Sequence, residues 1–487
     1  MKPLLLAQCP VATRSGYGEH SRDILRSLIK MDKFDIVIWG MRWGDTPYID
    51  LDTDRDREIF KRLLNEPNLP KQPDVYVQVT VPNEFQKIGK YNIGITAGIE
   101  TTVCSTQWIE GMNRMDMVIV PSVHSKTVFD KSVYTKTDNA KRPIGELKTN
   151  VPIEILFEGV DTDIFNFNTN IKESELRFEL NNIAESFAFL FVGHWLKGDM
   201  YQDRKDVSGL IKVFLETFKN TPSPPALVLK TSAGSPSVMD RNEILSRIDM
   251  IKKSVSNNKY LPNIYVLHGD LTTQEMNSLY NHTKIKAHIS FTKGEGFGRP
   301  LLEASMSEKP IIAPNWSGHV DFLQKEYCTL LPGELTKIHP SAVWENVIIP
   351  ESSWFTTNYT AASNAMIQVW KNYAQYKRNA EMQARYSREN FSLEKMHTKF
   401  GEILEKYLPK FAEEIPIVMP DFSTLQLPKL KPMTPVAETI KDDMHQLDMK
   451  QVDLPQQPTE TQMAVDASPK PPVEDEIKIN EQPTTKE

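Results

Sequence analysis

Phe291-Thr292-Lys293-Gly294-Glu295-Gly296-Phe297-Gly298-Arg299-Pro300-Leu301-Leu302-Glu303-Ala304-Ser305-Met306 follows an apolar strand-like run and opens a helix. Three glycines within five residues let the backbone approach a ligand closely. Pro300 suits a first helical turn. The free N–H groups at such a helix start attract an anion such as a phosphate. Glu295 and Glu303 stand eight apart, one in the loop and one in the first helical turns. A carboxylate is a poor phosphate ligand and a good acceptor for sugar hydroxyls. The segment therefore suits a sugar joined to a phosphate, rather than a plain glycine turn with a capping Glu.

Outward from it, short apolar runs alternate with amphipathic helices. Strands are expected at Pro3–Ala7, Phe34–Trp39, Val75–Val81, Ile93–Ala97, Met115–Pro121 and Ile153–Glu158. A second series is expected at Phe187–Gly193, Ala226–Lys230, Ile264–His268, Ala287–Phe291 and Pro310–Ala313. Continuous Val/Ile/Leu runs mark strands buried on both faces. Helices are expected over Glu19–Met31, Val207–Phe218, Ala361–Glu389 and Leu393–Leu408, and after the capping box Thr272-x-x-Glu275. Alternating β and α implies parallel sheets with helices on both faces. Two such series imply two Rossmann-like α/β domains, 1–165 and 166–390, with a helical segment at 391–412. Function then belongs in the loops after strands.

The chain has 487 residues and a net charge of −7, which argues against a basic coat for nucleic acid. The segment 413–487 accounts for −8, holds 11 of the 33 prolines and has no glycine. It reads as a disordered acidic, Pro-rich tail, solvated or bound to a protein partner. Residues 1–412 are left near +1. Cys9, Cys104 and Cys328 lie far apart and form neither a disulfide framework nor a metal spacing. Reduced thiols and the lack of an 18-residue apolar run suggest a cytoplasmic protein, with peripheral membrane contact left open. Asp52-Thr53-Asp54 and Asp161-Thr162-Asp163 could bind a metal, but their settings favour surface and turn roles, and no metal site is expected.

Glu295-x7-Glu303 within Gly-Glu-Gly-Phe-Gly-x-Pro-Leu-Leu-Glu-Ala resembles the signature of retaining glycosyltransferases of family 4, which have the GT-B fold and use nucleotide-sugar donors. Gly159-Val160-Asp161 resembles their inter-domain turn, and Pro121-Ser122 their segment before a helix. Phe191-Val192-Gly193 with Arg204-Lys205 resembles their diphosphate clamp, and Ser317-Gly318-His319 the turn after the signature. The resemblance covers roughly 1–410. It implies an acceptor domain first, a donor domain second, facing a cleft, and a C-terminal helix crossing back. Glu295 is then expected on donor-sugar hydroxyls, Glu303 on the ribose, the amides of Gly296, Phe297 and Gly298 on phosphate, and Lys205 on the leaving diphosphate. No cofactor is implied beyond the donor substrate.

Three departures stand out. His194 replaces the usual Arg after Gly193, so that Arg204 or Lys197 is left to supply a cation. The loop Trp195–Asp203 is long, and Glu158 stands where the turn usually has Asn. In the first domain Gly16 and Gly18 form a glycine loop toward the cleft, weak as a fingerprint by itself. Glu100 ends a strand and could receive an acceptor proton, or serve only as a surface or capping Glu. Residues 122–150 carry a net +3, which fits a solvated surface or an anionic acceptor: lipid, phosphorylated glycan or modified DNA base. A two-carboxylate hydrolase and a non-catalytic nucleotide-sugar-binding protein are the competing classes.

Overall fold

A computed structural model describes residues 2–411, apart from 45, 67, 70, 139, 173–175, 235 and 236. The tail expected over 413–487, and its protein partner, lie outside the described residues. The first lobe runs β1 (Leu4–Cys9), α1 (Gly16–Met31), β2 (Asp35–Gly40), α2 (Arg57–Phe60), β3 (Val75–Val79), β4 (Tyr91–Ile95), α3 (Thr106–Met112), β5 (Met117–Val120), α4 (Val123–Lys131), β6 (Tyr134–Thr137), β7 (Pro143–Leu147) and β8 (Ile153–Ile155). The second runs β9 (Ala188–Val192), α5 (Val207–Phe218), β10 (Ala226–Lys230), α6 (Val238–Lys253), β11 (Ile264–Leu267), α7 (Thr273–Asn281), β12 (Ile285–Ile289), α8 (Arg299–Ser305), β13 (Ile311–Pro314), β14 (Thr329–Leu331), β15 (Gly333–Lys337), β16 (Ser353–Thr357), α9 (Tyr359–Lys371), α10 (Tyr373–Asn390) and α11 (Leu393–Tyr407).

Each lobe is built on a six-stranded parallel sheet. The first has order β2-β1-β3-β4-β5-β8, the second β11-β10-β9-β12-β13-β14. Alternate residues of each strand feed opposite cores, the consequence of the two-residue strand period. Leu5, Ala7 and Cys9 pack with α1 and α11, whereas Leu6 packs with Trp108 and Phe129. Phe189 and Phe191 meet Phe214 of α5, whereas Ala188 and Leu190 meet Leu302 of α8. In the second sheet the chain reverses direction across the sheet between β9 and β12. In a doubly wound sheet the ligand crevice lies beyond the carboxyl ends of such a pair. The Phe291–Met306 segment leaves β12 at that point.

The last helix crosses back to the first lobe. Met396, Phe400, Ile403 and Leu404 of α11 are buried in the core beneath β1. The Gly159-Val160 turn and the Phe391–Leu393 link are laced together by Val160 N–H to Phe391 O (3.0 Å) and Leu393 N–H to Val160 O (2.7 Å). The fold is therefore the expected GT-B arrangement. Two expectations are corrected. The helix expected over Ala361–Glu389 is two helices, broken at Asn372, whose side chain bonds Gln368 (2.8 Å) and which lies outside helical geometry. The strand expected over Ile153–Glu158 ends at Ile155, before the turn. The β6–β7 hairpin and β15 were not legible, because their largely exposed, polar residues lack an apolar run, and buried β16 carries only Trp354 and Phe355 as apolar residues.

Candidate functional site

The loop from Ser290 to Gly298 is buried between lobes. Gly298 adopts φ 100°, a left-handed conformation that only glycine takes without strain, and caps α8. Gly296 is needed for close approach: a Cβ there would lie 1.9 Å from the carbonyl oxygen of Ala97. Its own carbonyl accepts the Ser122 hydroxyl (2.6 Å), so the loops after β4, β5 and β12 meet at one point. No described residue accepts from the backbone N–H of Gly296, Phe297 or Gly298. Three buried donors without acceptors form a cradle suited to an anion.

Glu295 is largely buried beside this cradle. Lys205 donates to its Oε1, and Arg204 Nη1 lies 3.5 Å from its Oε2. Burial would raise its pKa, but the two cations outweigh burial and hold it at about 2. Burial lowers Lys205, although Glu295 opposes the shift. Arg204 also donates to the Gly294 carbonyl (3.1 Å) and lies 3.5 Å from Glu100, so that it ties the loop after β4 to the loop after β12. The loop carrying both cations is positioned by Lys293 N–H to Arg204 O (2.7 Å) and by the Asp203 carboxylate on Val207 N–H (2.9 Å) at the start of α5. His194 follows β9 and bonds Ser232 Oγ (3.0 Å), with Lys205 as a charged neighbour.

Glu303 lies one helical turn into α8. It accepts from Arg299 Nε (3.0 Å) and from the Tyr280 hydroxyl (3.4 Å). Burial lifts its pKa to about 7 against the pull of Arg299. Arg299 in turn donates to Asp23 of α1 (2.7 Å), a group 1% exposed. Glu158 is buried close by, and burial lifts it to about 7 as well, with Asp23, Glu303 and Glu295 adding repulsion. Gly16 opens α1 with space around it, whereas Gly18 is pressed against Thr13. The Ser15 hydroxyl caps this helix through Gly18 N–H (3.0 Å).

The structure thus brings together Glu100, Arg204, Lys205, Glu295, Gly296, Phe297 and Gly298, with Glu303 and His194 at the flanks. Sequence reasoning passed over Arg299, Asp23 and Glu158 as a charged group behind the loop. The one sign of them was Glu158 standing where the turn usually has Asn. Asp161 pairs with Arg55 (2.8 Å), and Asp54 with Arg57 (3.0 Å). In the basic segment, Arg142 lies 2.7 Å from Asp138, Lys148 3.3 Å from Glu146 and Lys126 3.9 Å from Asp130. Half of its cations therefore have a local partner, which reduces its outward field. Among the described residues, the three cysteines are free and no helix is long and apolar enough to cross a membrane.

No family model and no curated protein matches this chain by sequence. Solved structures match its fold. A glycosyltransferase from Rickettsia africae is 16% identical, with a TM-score of 0.54 over 84% of this chain and 100% of that one. Sucrose-phosphate synthase from Thermosynechococcus elongatus is 13% identical, with a TM-score of 0.55 over 83% and 99%. The Anabaena protein HepE, solved in complex with UDP and glucose, is 12% identical, with a TM-score of 0.53 over 83% and 100%. At these identities the likeness establishes the two-lobed fold.

Proposed function

We propose that this protein is a glycosyltransferase that moves a sugar from a nucleotide-sugar donor to an acceptor hydroxyl, with retention of anomeric configuration. The observation that carries the reading is the convergence of Lys205 and Arg204 on Glu295 beside three unpartnered amides, at the carboxyl ends of β9 and β12. The resemblance of the glycine-rich segment to family 4 supports it, as does the shared fold with HepE, which binds UDP and glucose in its own structure.

Glycosyl transfer builds positive charge at the anomeric carbon and negative charge on the departing nucleotide. Lys205, Arg204 and the amides of Gly296, Phe297 and Gly298 supply preorganised positive charge for the diphosphate. Glu295, ionised throughout the physiological range, accepts donor-sugar hydroxyls and fixes the anomeric carbon for attack. Glu303 accepts the ribose hydroxyls. Glu100 is the proposed recipient of the acceptor proton, on the first-lobe side of Arg204. These cations take the part a metal ion plays elsewhere, and turnover is proposed to need none.

The test is a donor screen. UDP-, GDP- and ADP-sugars are incubated with the protein, and slow hydrolysis is read by released nucleotide. Release from one nucleotide class, lost in Lys205→Ala, supports the reading. No release and no nucleotide binding in any class refutes it.

A further inference from the structure

The turn after β13 lies against the glycine-rich loop. Gly318 N–H donates to Glu295 O (2.9 Å), and a Cβ on Gly318 would lie 2.1 Å from the carbonyl oxygen of Gly296. On the other side of the turn, Trp316 stacks on Phe355 of β16, with ring centroids 6.1 Å apart and planes 10° apart. It also meets the His124 ring of α4 edge-on at 4.7 Å. Ser317 is held between these two anchors. It is buried and adopts φ 74°, ψ −163°.

That backbone state belongs to glycine. Among the described non-glycine residues with positive φ, Ser317 has the largest value. Asp32 and Asp206, with ψ of 25° and 43°, fall in the left-handed helical region that Asp tolerates. Ser317 lies far from that region in ψ, where any residue with a Cβ is strained. Such strain persists only where the surroundings enforce it, and it gathers at working sites. Glycine would remove it. What serine adds is a hydroxyl, and that hydroxyl accepts the backbone N–H of Glu295 (3.0 Å). The next three amides, those of Gly296, Phe297 and Gly298, have no acceptor among the described residues. Ser317 therefore anchors the residue after which the free amides begin and from which the carboxylate paired with Lys205 projects.

We propose that Ser317 is a positioning residue for Glu295: its strained backbone carries a hydroxyl that holds the Glu295 main chain, so that the carboxylate stands where the donor sugar binds. The proposal rests on the glycosyltransferase reading and adds a residue to it. Two other bonds hold the same loop, Gly318 N–H to Glu295 O and the Ser122 hydroxyl to Gly296 O (2.6 Å). Neither uses the Ser317 side chain. Loss of the hydroxyl therefore frees the Glu295 amide without unseating the loop. The carboxylate is the group that moves, and small displacements of a group that orients a reacting centre cost rate.

The test compares the full wild-type chain with Ser317→Gly and Ser317→Ala. Both variants lose the hydroxyl, and only Gly relieves the backbone. Thermal melts should place the Gly variant above the Ala variant by ~1–2 °C. Hydrolysis of the nucleotide sugar that the wild type accepts should fall by about 3- to 10-fold in both, the effect of one hydrogen bond. UDP affinity measured by calorimetry should be unchanged, because UDP lacks the transferred sugar that Glu295 holds. Amide exchange at Glu295, read by mass spectrometry, should quicken in both variants. A residue that served stability alone would give a Gly variant with full hydrolysis. That result, an Ala variant as stable as the Gly variant, unaltered exchange at Glu295, or a loss of UDP affinity that matches the loss of hydrolysis overturns the proposal. If the wild type hydrolyses no nucleotide sugar, the transferase reading falls; quickened exchange in both variants then sustains the hold of Ser317 on Glu295, and unaltered exchange overturns it.

Discussion

Replacing Glu158 by Gln should stabilise the protein, and by an amount that grows with pH. Glu158 is buried behind the glycine-rich loop, with a pKa lifted from 4.5 to about 7 by burial and by the neighbouring carboxylates. In the unfolded chain it titrates normally. Below pH 4.5 both states hold the proton, and burial of the neutral acid adds no ionisation cost. As pH rises toward 7 the unfolded chain releases the proton while the folded protein keeps it, so folding stability falls. Above the folded pKa the full cost is present, about 3 kcal/mol from 1.36 kcal/mol per pKa unit. Gln has the same shape and does not titrate. Glu158→Gln should therefore exceed wild type by ~2–3 kcal/mol at pH 8.5 and by under ~1 kcal/mol at pH 5. Thermal melts of both proteins from pH 5 to 8.5 test this, with a gap of several degrees expected at the alkaline end. A gap that stays constant with pH, or a Gln variant less stable at both ends, would refute the argument that burial governs this carboxyl.

Glu295→Gln should lower turnover by roughly 10- to 100-fold, since a charged hydrogen bond is worth ~1.5–3 kcal/mol, and Lys205→Ala should weaken UDP binding measured by calorimetry. Gly296→Ala places a Cβ 1.9 Å from Ala97 O, so it should cost ~1–3 kcal/mol in thermal stability and cut turnover as the lobes are forced apart. Donor affinity should rise from pH 6 to 8 as Glu303 ionises through its raised pKa of about 7, and Glu303→Gln should abolish that dependence. Transfer in excess chelator after metal removal should continue; complete loss restored by manganese would show that Lys205 and Arg204 do not serve the leaving group alone.

The two sheets could be read from the residues. Runs such as Leu4–Ala7 and Ala226–Leu229 are apolar at every position because both faces of a parallel strand are covered, and that demand is met within a few residues of chain. The glycine-rich loop was legible for the same reason: close approach and a left-handed cap restrict Gly296 and Gly298 whatever the rest of the molecule does. The Glu295 and Lys205 positions came from the resemblance, but that they pair depends on how the loops after β9 and β12 pack within the second lobe, and that Arg204 reaches Glu100 as well depends on how the two lobes meet. Arg299 and Asp23 are 276 residues apart, and nothing near either predicts the other. The raised carboxyl of Glu158 is likewise a property of what surrounds it, since its neighbours in the chain do not desolvate it. The segment joining β15 to β16 is held by Thr102 and Ser105 of the other lobe through partners 251 and 241 residues away, which its own sequence does not announce. Local pattern records what a segment needs from its own geometry, while ion pairs and clefts arise where distant segments are packed together, and only the folded chain sets those distances.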